Sequence, residues 1–161
     1  MANGALNVRG LLLVPALLLG CHDVTRFSSD HYEGTVVAAS FVRSGVEPAT
    51  RLCLSLDANK LQEGPGTMSS TDGRFQSTPL RPIAPVWRDP LSTLSFGEDR
   101  EMNLLYLAQD ARLEGRDALV VISLMKAGGV EVRLLGGALT SSTPPVFAVF
   151  PMEKASGPCS F

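Results

Sequence analysis

Residues 118–125 (ALVVISLM) are followed at once by a Gly-rich turn and an alternating run, and this pairing constrains the fold more than any other feature of the chain. Seven of the eight residues are apolar and several are β-branched. The run is too short for a buried helix, so it predicts a central strand covered on both faces. Lys126-Ala127-Gly128-Gly129 supplies the turn, and residues 130–135 (VEVRLL) return with clear period-two alternation. Together they predict an antiparallel hairpin. A two- or four-residue loop would put Val121, Ser123 and Met125 on one face with Val130, Val132 and Leu134. Glu131 and Arg133 would then lie on the other face.

The remainder of the chain is punctuated in the same way. Residues 33–42 (EGTVVAASFV) predict a first strand, and residues 51–57 (RLCLSLD) a half-buried one. In the latter, Leu52, Leu54 and Leu56 share a face, with Cys53, Ser55 and Asp57 opposite. Gly64-Pro65-Gly66, Asp72-Gly73, Pro79, Pro82 and Pro85 rule out a long helix over 58–85. Asp72-Gly73 predicts a tight turn whose second arm starts at Arg74-Phe75. The Pro-spaced segment 79–90 favours extended backbone along an edge, with Trp87 as a packing anchor. Residues 92–96 predict a short strand, 97–101 (GEDRE) a charged turn, and 102–108 (MNLLYLA) another strand. A polar connection or single helical turn over 109–117 precedes the central hairpin, and 146–150 forms a last apolar strand. Seven or eight short strands without an amphipathic helix predict a mostly β domain, a small antiparallel β-sandwich or barrel.

The first twenty residues differ in kind. Residues 11–19 are an apolar run of nine, preceded by Arg9 and followed by Gly20-Cys21. A membrane span needs about 20 apolar residues, so the run has the length of a signal-peptide core instead. Leu18-Leu19-Gly20-Cys21 resembles the lipobox of bacterial lipoproteins cleaved by the type II signal peptidase. The resemblance covers only these 21 residues. It implies that 1–20 are removed, with Leu18, Leu19 and Gly20 recognised by the peptidase, and that Cys21 becomes the lipid-bearing first residue. Two or three acyl chains, palmitate among them, anchor stably where one chain is marginal. In Gram-negative lipoproteins Asp directly after the modified Cys favours inner-membrane retention. Here His22 holds that place and Asp23 follows, which implies the outer membrane. Residues 21–32 then read as a lipidated tether, and 33–161 as a single β-rich extracytoplasmic domain.

Without residues 1–20 the chain has 141 residues, enough for one domain with a real core. Arg9 is the only charge lost, leaving 13 basic against 16 acidic side chains. That balance points to neither nucleic acid nor an anionic surface as partner. Once Cys21 is assigned to lipid, Cys53 and Cys159 remain, an even pair in a compartment that permits disulfides. A bridge would close a loop of about 100 residues, worth up to about 4.7 kcal/mol in the chain-entropy treatment. The other arrangement is one buried and one loose thiol.

Catalytic motifs are not found. The chain has no nucleophile elbow, phosphate loop, zinc helix or calcium loop, and no cofactor or metal site is expected. His22 and His31 both fall in the tether, where a base is held poorly. His22, Asp23, Asp30 and His31 read as solvated linker rather than metal ligands. Cys53 has no neighbour that favours a thiolate. Asp57, Asp72, Asp89, Glu98, Asp99 and Glu101 fit ordinary turn chemistry. Phe75, Trp87, Phe96 and Tyr106 read as core before ligand platform. The expectation is therefore a non-catalytic, membrane-anchored envelope lipoprotein that scaffolds or binds a partner protein or glycan. A β domain enclosing a small lipid, glycan or peptide is the second expectation, and an envelope hydrolase using an assembled carboxylate pair the third.

Overall fold

The computed structural model describes residues 31–37, 45–57, 66–83, 99–137 and 146–161. Among the described residues nine strands run in chain order: β1 His31–Thr35, β2 Arg51–Leu56, β3 Gly66–Ser70, β4 Thr78–Pro79, β5 Arg81–Pro82, β6 Arg100–Gln109, β7 Asp117–Met125, β8 Val130–Gly136 and β9 Val146–Lys154. They form one sheet in the order β4-β3-β2-β1-β9-β8-β7-β6-β5, antiparallel throughout. Its terminal strands β4 and β5 are separated by Leu80 alone, whose N–H donates to the Gly66 carbonyl. The sheet therefore curls into a nearly closed, barrel-like structure. Prolines at 79 and 82 sit in these two short strands, where a missing donor costs least.

Each long strand turns one alternating set of its residues inward, and that set is largely apolar. Tyr32, Leu52, Leu54, Met68, Leu80, Leu104, Tyr106, Val120, Ile122, Val132, Leu134 and Phe150 belong to one buried cluster. At the seam between the first and last strands Gly34 faces β9. A Cβ there would stand 2.2 Å from the Pro151 carbonyl oxygen, so only glycine allows this approach.

The central hairpin forms, but in a different register from the expected one. Leu124 pairs with Val130, Ile122 with Val132 and Val120 with Leu134. An odd number of residues separates Leu124 from Val130, with Gly128 and Gly129 both at positive φ. The Gly128 N–H bonds the Met125 carbonyl, and the Met125 N–H the Gly129 carbonyl. One residue of slip moves every side chain to the other face. Val120, Ile122 and Leu124 therefore join Val130, Val132 and Leu134 inside, while Val121 and Ser123 point outward with Glu131 and Arg133. Val121 and Ser123 are nonetheless fully buried, so the strand is covered on both faces as its composition predicts.

Three further boundaries differ. β1 starts at His31, so His31 and Tyr32 belong to the barrel and not to the tether. Residues 66–70, read within an irregular stretch, form β3. Its partner after the Asp72-Gly73 turn begins at Thr78 rather than at Arg74-Phe75. Arg74 and Phe75 instead turn into the structure, where both are buried. Residues 109–117 end β6, make the 3₁₀ turn Ala111–Leu113 and start β7. Trp87, Phe96 and the expected strand at 92–96 lie outside the described residues, as do residues 38–42 of the expected first strand.

The end of the barrel that carries these turns is held by an ionic network. The Arg74 guanidinium bonds Asp110 Oδ2 at 2.8 Å, Asp72 Oδ2 at 3.2 Å and the Gly45 carbonyl. Asp110 also caps the 3₁₀ turn by accepting from the Arg112 N–H at 2.8 Å. Arg112 in turn donates to the Asp72 carbonyl at 2.7 Å. Three connections that are distant in sequence are thereby locked together, with Phe75 and Leu113 packed beneath. A buried cation between two buried carboxylates is costly to remove, because the carboxylates remain. Arg74→Ala is expected to lower unfolding free energy by about 3–5 kcal/mol, measured by urea denaturation. Within the core the Tyr106 hydroxyl is buried with no hydrogen-bond partner among the described residues, and burial pushes its pKa up. Tyr106→Phe is expected to raise stability by about 1 kcal/mol. A loss instead would reveal a bound water satisfying that hydroxyl.

Candidate functional site

The outer face of β9, β1, β2 and β3 gathers more polar chemistry than the packed interior. Alternation sends His31, Glu33 and Thr35 outward from β1 because Tyr32 and Val36 point in. The register then sets Glu33 beside Cys53 on one side and Glu153 on the other. Arg51 forms an ion pair with Glu33 across the strands. Glu33, Thr35, Arg51, Pro151, Glu153 and Lys154 line an open groove of about 440 Å³.

Cys53 and Cys159 are joined by a disulfide, with Cα atoms 5.7 Å apart. Cys53 points out of the barrel yet is fully buried, and Cys159 is half-buried. The tail 155–161 therefore crosses the outer face of β1 and β2. Its other attachments are the Ala155 N–H to the His31 carbonyl at 3.0 Å and Phe161, whose ring centroid lies 5.0 Å from the Arg51 guanidinium. His31 Nδ1 is 3.0 Å from Ser55 Oγ, which is 3.8 Å from Cys159 Sγ. Sequence reading placed His31 in a solvated linker. A His-Tyr start to a strand lacks the apolar alternation that would have revealed it.

The turn carboxylates do not assemble into a catalytic pair among the described residues. Asp72 converges with Asp110, but on Arg74, as an ion-paired support. Asp99 pairs with Arg100. Asp89 and Glu98 lie outside the described residues, as do His22, Asp23, Asp30 and the lipobox residues Leu18, Leu19, Gly20 and Cys21. Phe75 and Tyr106 are core residues. No group of three or more His, Cys, Asp or Glu side chains among the described residues is placed to hold a metal.

A second polar cluster lies on the outer face of β6–β8, where the hairpin register put it. Ser123 donates to Asn103 Oδ1 at 2.6 Å, and Glu131 accepts from both Arg100 and Arg133 at 2.7 Å. Burial raises the Glu131 pKa, Arg100 opposes the rise, and Asp99 adds to it. Sequence spacing assigned Glu131 and Arg133 to the same face, but not this enclosure.

No protein-family model, curated protein or solved structure matches this chain.

The sign of the Glu131 effect is fixed by linkage. A carboxyl with a raised folded pKa holds its proton more tightly folded than unfolded. Its contribution is full below the ordinary glutamate range and is lost as pH rises through the raised folded value. Urea unfolding across that window is expected to show this downward contribution with rising pH. Glu131→Gln is expected to remove it, and an unchanged pH slope in that variant would contradict the assignment.

Proposed function

We propose that this chain is a lipid-anchored envelope lipoprotein whose barrel serves as a non-catalytic scaffold or partner-binding module. The observation that carries the reading is positional. Cys21 of the lipobox-like Leu18-Leu19-Gly20-Cys21 stands ten residues before His31, the first residue of β1. Ten steps of at most about 3.6 Å allow at most roughly 36 Å between the acylated residue and the barrel. A lipid on Cys21 would keep the domain at the bilayer surface, with the β1 entry end nearest to it. His22, rather than Asp, directly after the modified residue favours the outer membrane.

The packed interior directs recognition to the outside. Inward side chains from every long strand share one apolar cluster, as expected of a barrel about eight strands round. The groove along β9, β1 and β2 offers exposed charge of both signs, Glu153 and Lys154 among it. Such a surface suits a polar partner, an envelope protein or a glycan. Binding of a small glycan or peptide in that groove is the second reading, favoured by a volume within the usual range for ligand sites.

The test is intact mass after expression in a Gram-negative host, with membrane fractionation, for wild type and Cys21→Ala. Wild type is expected to lack residues 1–20, carry acyl mass on Cys21 and sediment with membranes. The variant is expected to carry no lipid and to leave the membrane fraction. Wild type that keeps its N-terminus or lacks acyl mass would overturn the reading.

A further inference from the structure

The disulfide is placed unlike a purely structural staple. Its two cysteines differ in exposure, because Cys53 is fully buried and Cys159 is half-buried. The sulfur of the less buried cysteine has a polar neighbour, Ser55 Oγ at 3.8 Å, itself in contact with His31 Nδ1 at 3.0 Å. Two further contacts among the described residues tie the retained segment to the barrel. Beyond β9 the tail makes the Ala155 backbone bond and the Arg51–Phe161 contact. The barrel strands, in contrast, are held by full antiparallel ladders that do not pass through the tail. Moreover, the tail walls two outer grooves. Ala155 borders the one at Glu33 and Arg51, and Phe161 borders another of about 380 Å³ lined by Ser69, Thr71, Gln76 and Ser77.

We propose that Cys159 is a thiol-exchange site for a dithiol reductant, and that exchange there releases residues 155–161 as a strap while leaving the barrel folded. A thiolate of the dithiol attacks Cys159 Sγ, the reachable sulfur, and Cys53 departs as a thiolate that takes up a proton. The second thiol of the reductant then attacks its own sulfur in the mixed disulfide, and Cys159 departs as a thiolate. That thiolate takes up the second proton from solvent. The reductant ends as a disulfide and the chain with two thiols, so two electrons and two protons have been transferred. Release removes one wall from each groove and uncovers Cys53 on β2. The step requires neither the lipid anchor nor a bound partner, so its failure is distinguishable from failure of the proposed function.

The probe is dithiothreitol acting on the oxidised protein, with free thiols alkylated at intervals and followed by mass. Hydrogen exchange and trypsin cleavage after Lys154 report on the strap and on the barrel separately. Wild type is expected to open with β6–β8 amides still protected, while Ala155 loses protection and release of 155–161 quickens at least tenfold. Cys53→Ala/Cys159→Ala is expected to show the released strap without reductant. Absence of the bond in the purified protein, unfolding of β6–β8 on reduction, or a strap that stays protected would each overturn the proposal.

Discussion

Closure of the sheet on itself is the constraint on which the rest of the molecule depends. A sheet of this length with free edges would leave rows of backbone donors and acceptors unpaired. Here the first strand lies against the last, and the opposite margin closes through the short run 78–82. The seam demands a close approach, which is why Gly34 faces Pro151 without a side chain. The other margin demands a strand that changes partners within five residues, and Leu80 fills the interior at the change-over. Once closed, the wall has an inside and an outside, and the period of two in each strand divides the residues between them.

That division separates packing from recognition. The inside is taken by large apolar side chains, so polar chemistry is displaced to the outer face and to the turns at the ends. At one end the turns are tied by Arg74 among Asp72, Asp110 and the Gly45 carbonyl. This is an ion triad used for geometry, holding the caps over Phe75 and Leu113. At the other end the chain enters β1 and leaves β9, and there the Cys53–Cys159 bond folds the tail back across β2. The proposed membrane attachment would lie on this same side. Anchor, polar groove and disulfide then form one region of the molecule, opposite the rigid network.

The three polar clusters also differ in what burial does to them. Around Arg74 two carboxylates and a carbonyl satisfy one guanidinium. Around Glu131 burial outweighs the opposing Arg100 and the carboxyl holds its proton more tightly than usual. Half-buried Cys159 has a hydroxyl near its sulfur and an imidazole behind that hydroxyl. Only the last combines access with reactive chemistry.

By itself the sequence determined the class of fold and most of its strands, since alternation in RLCLSLD and VEVRLL and the density of Gly and Pro leave no room for helices. It also determined that Cys53 and Cys159 were available to each other once Cys21 was set aside. Tertiary structure alone decided the facing of the central strand, because an odd hairpin loop with Gly128 and Gly129 at positive φ inverted the expected parity. Periodicity cannot reveal that parity when a strand is apolar on both faces. Tertiary structure likewise decided the roles of His31 and Arg74. A strand of HYEGT carries its meaning in its neighbours, and buried Arg74 is recognisable only when Asp110 has been brought to it from 36 residues away. Local patterns report which residues alternate. Which side becomes the interior, and which polar groups meet there, depends on long-range closure.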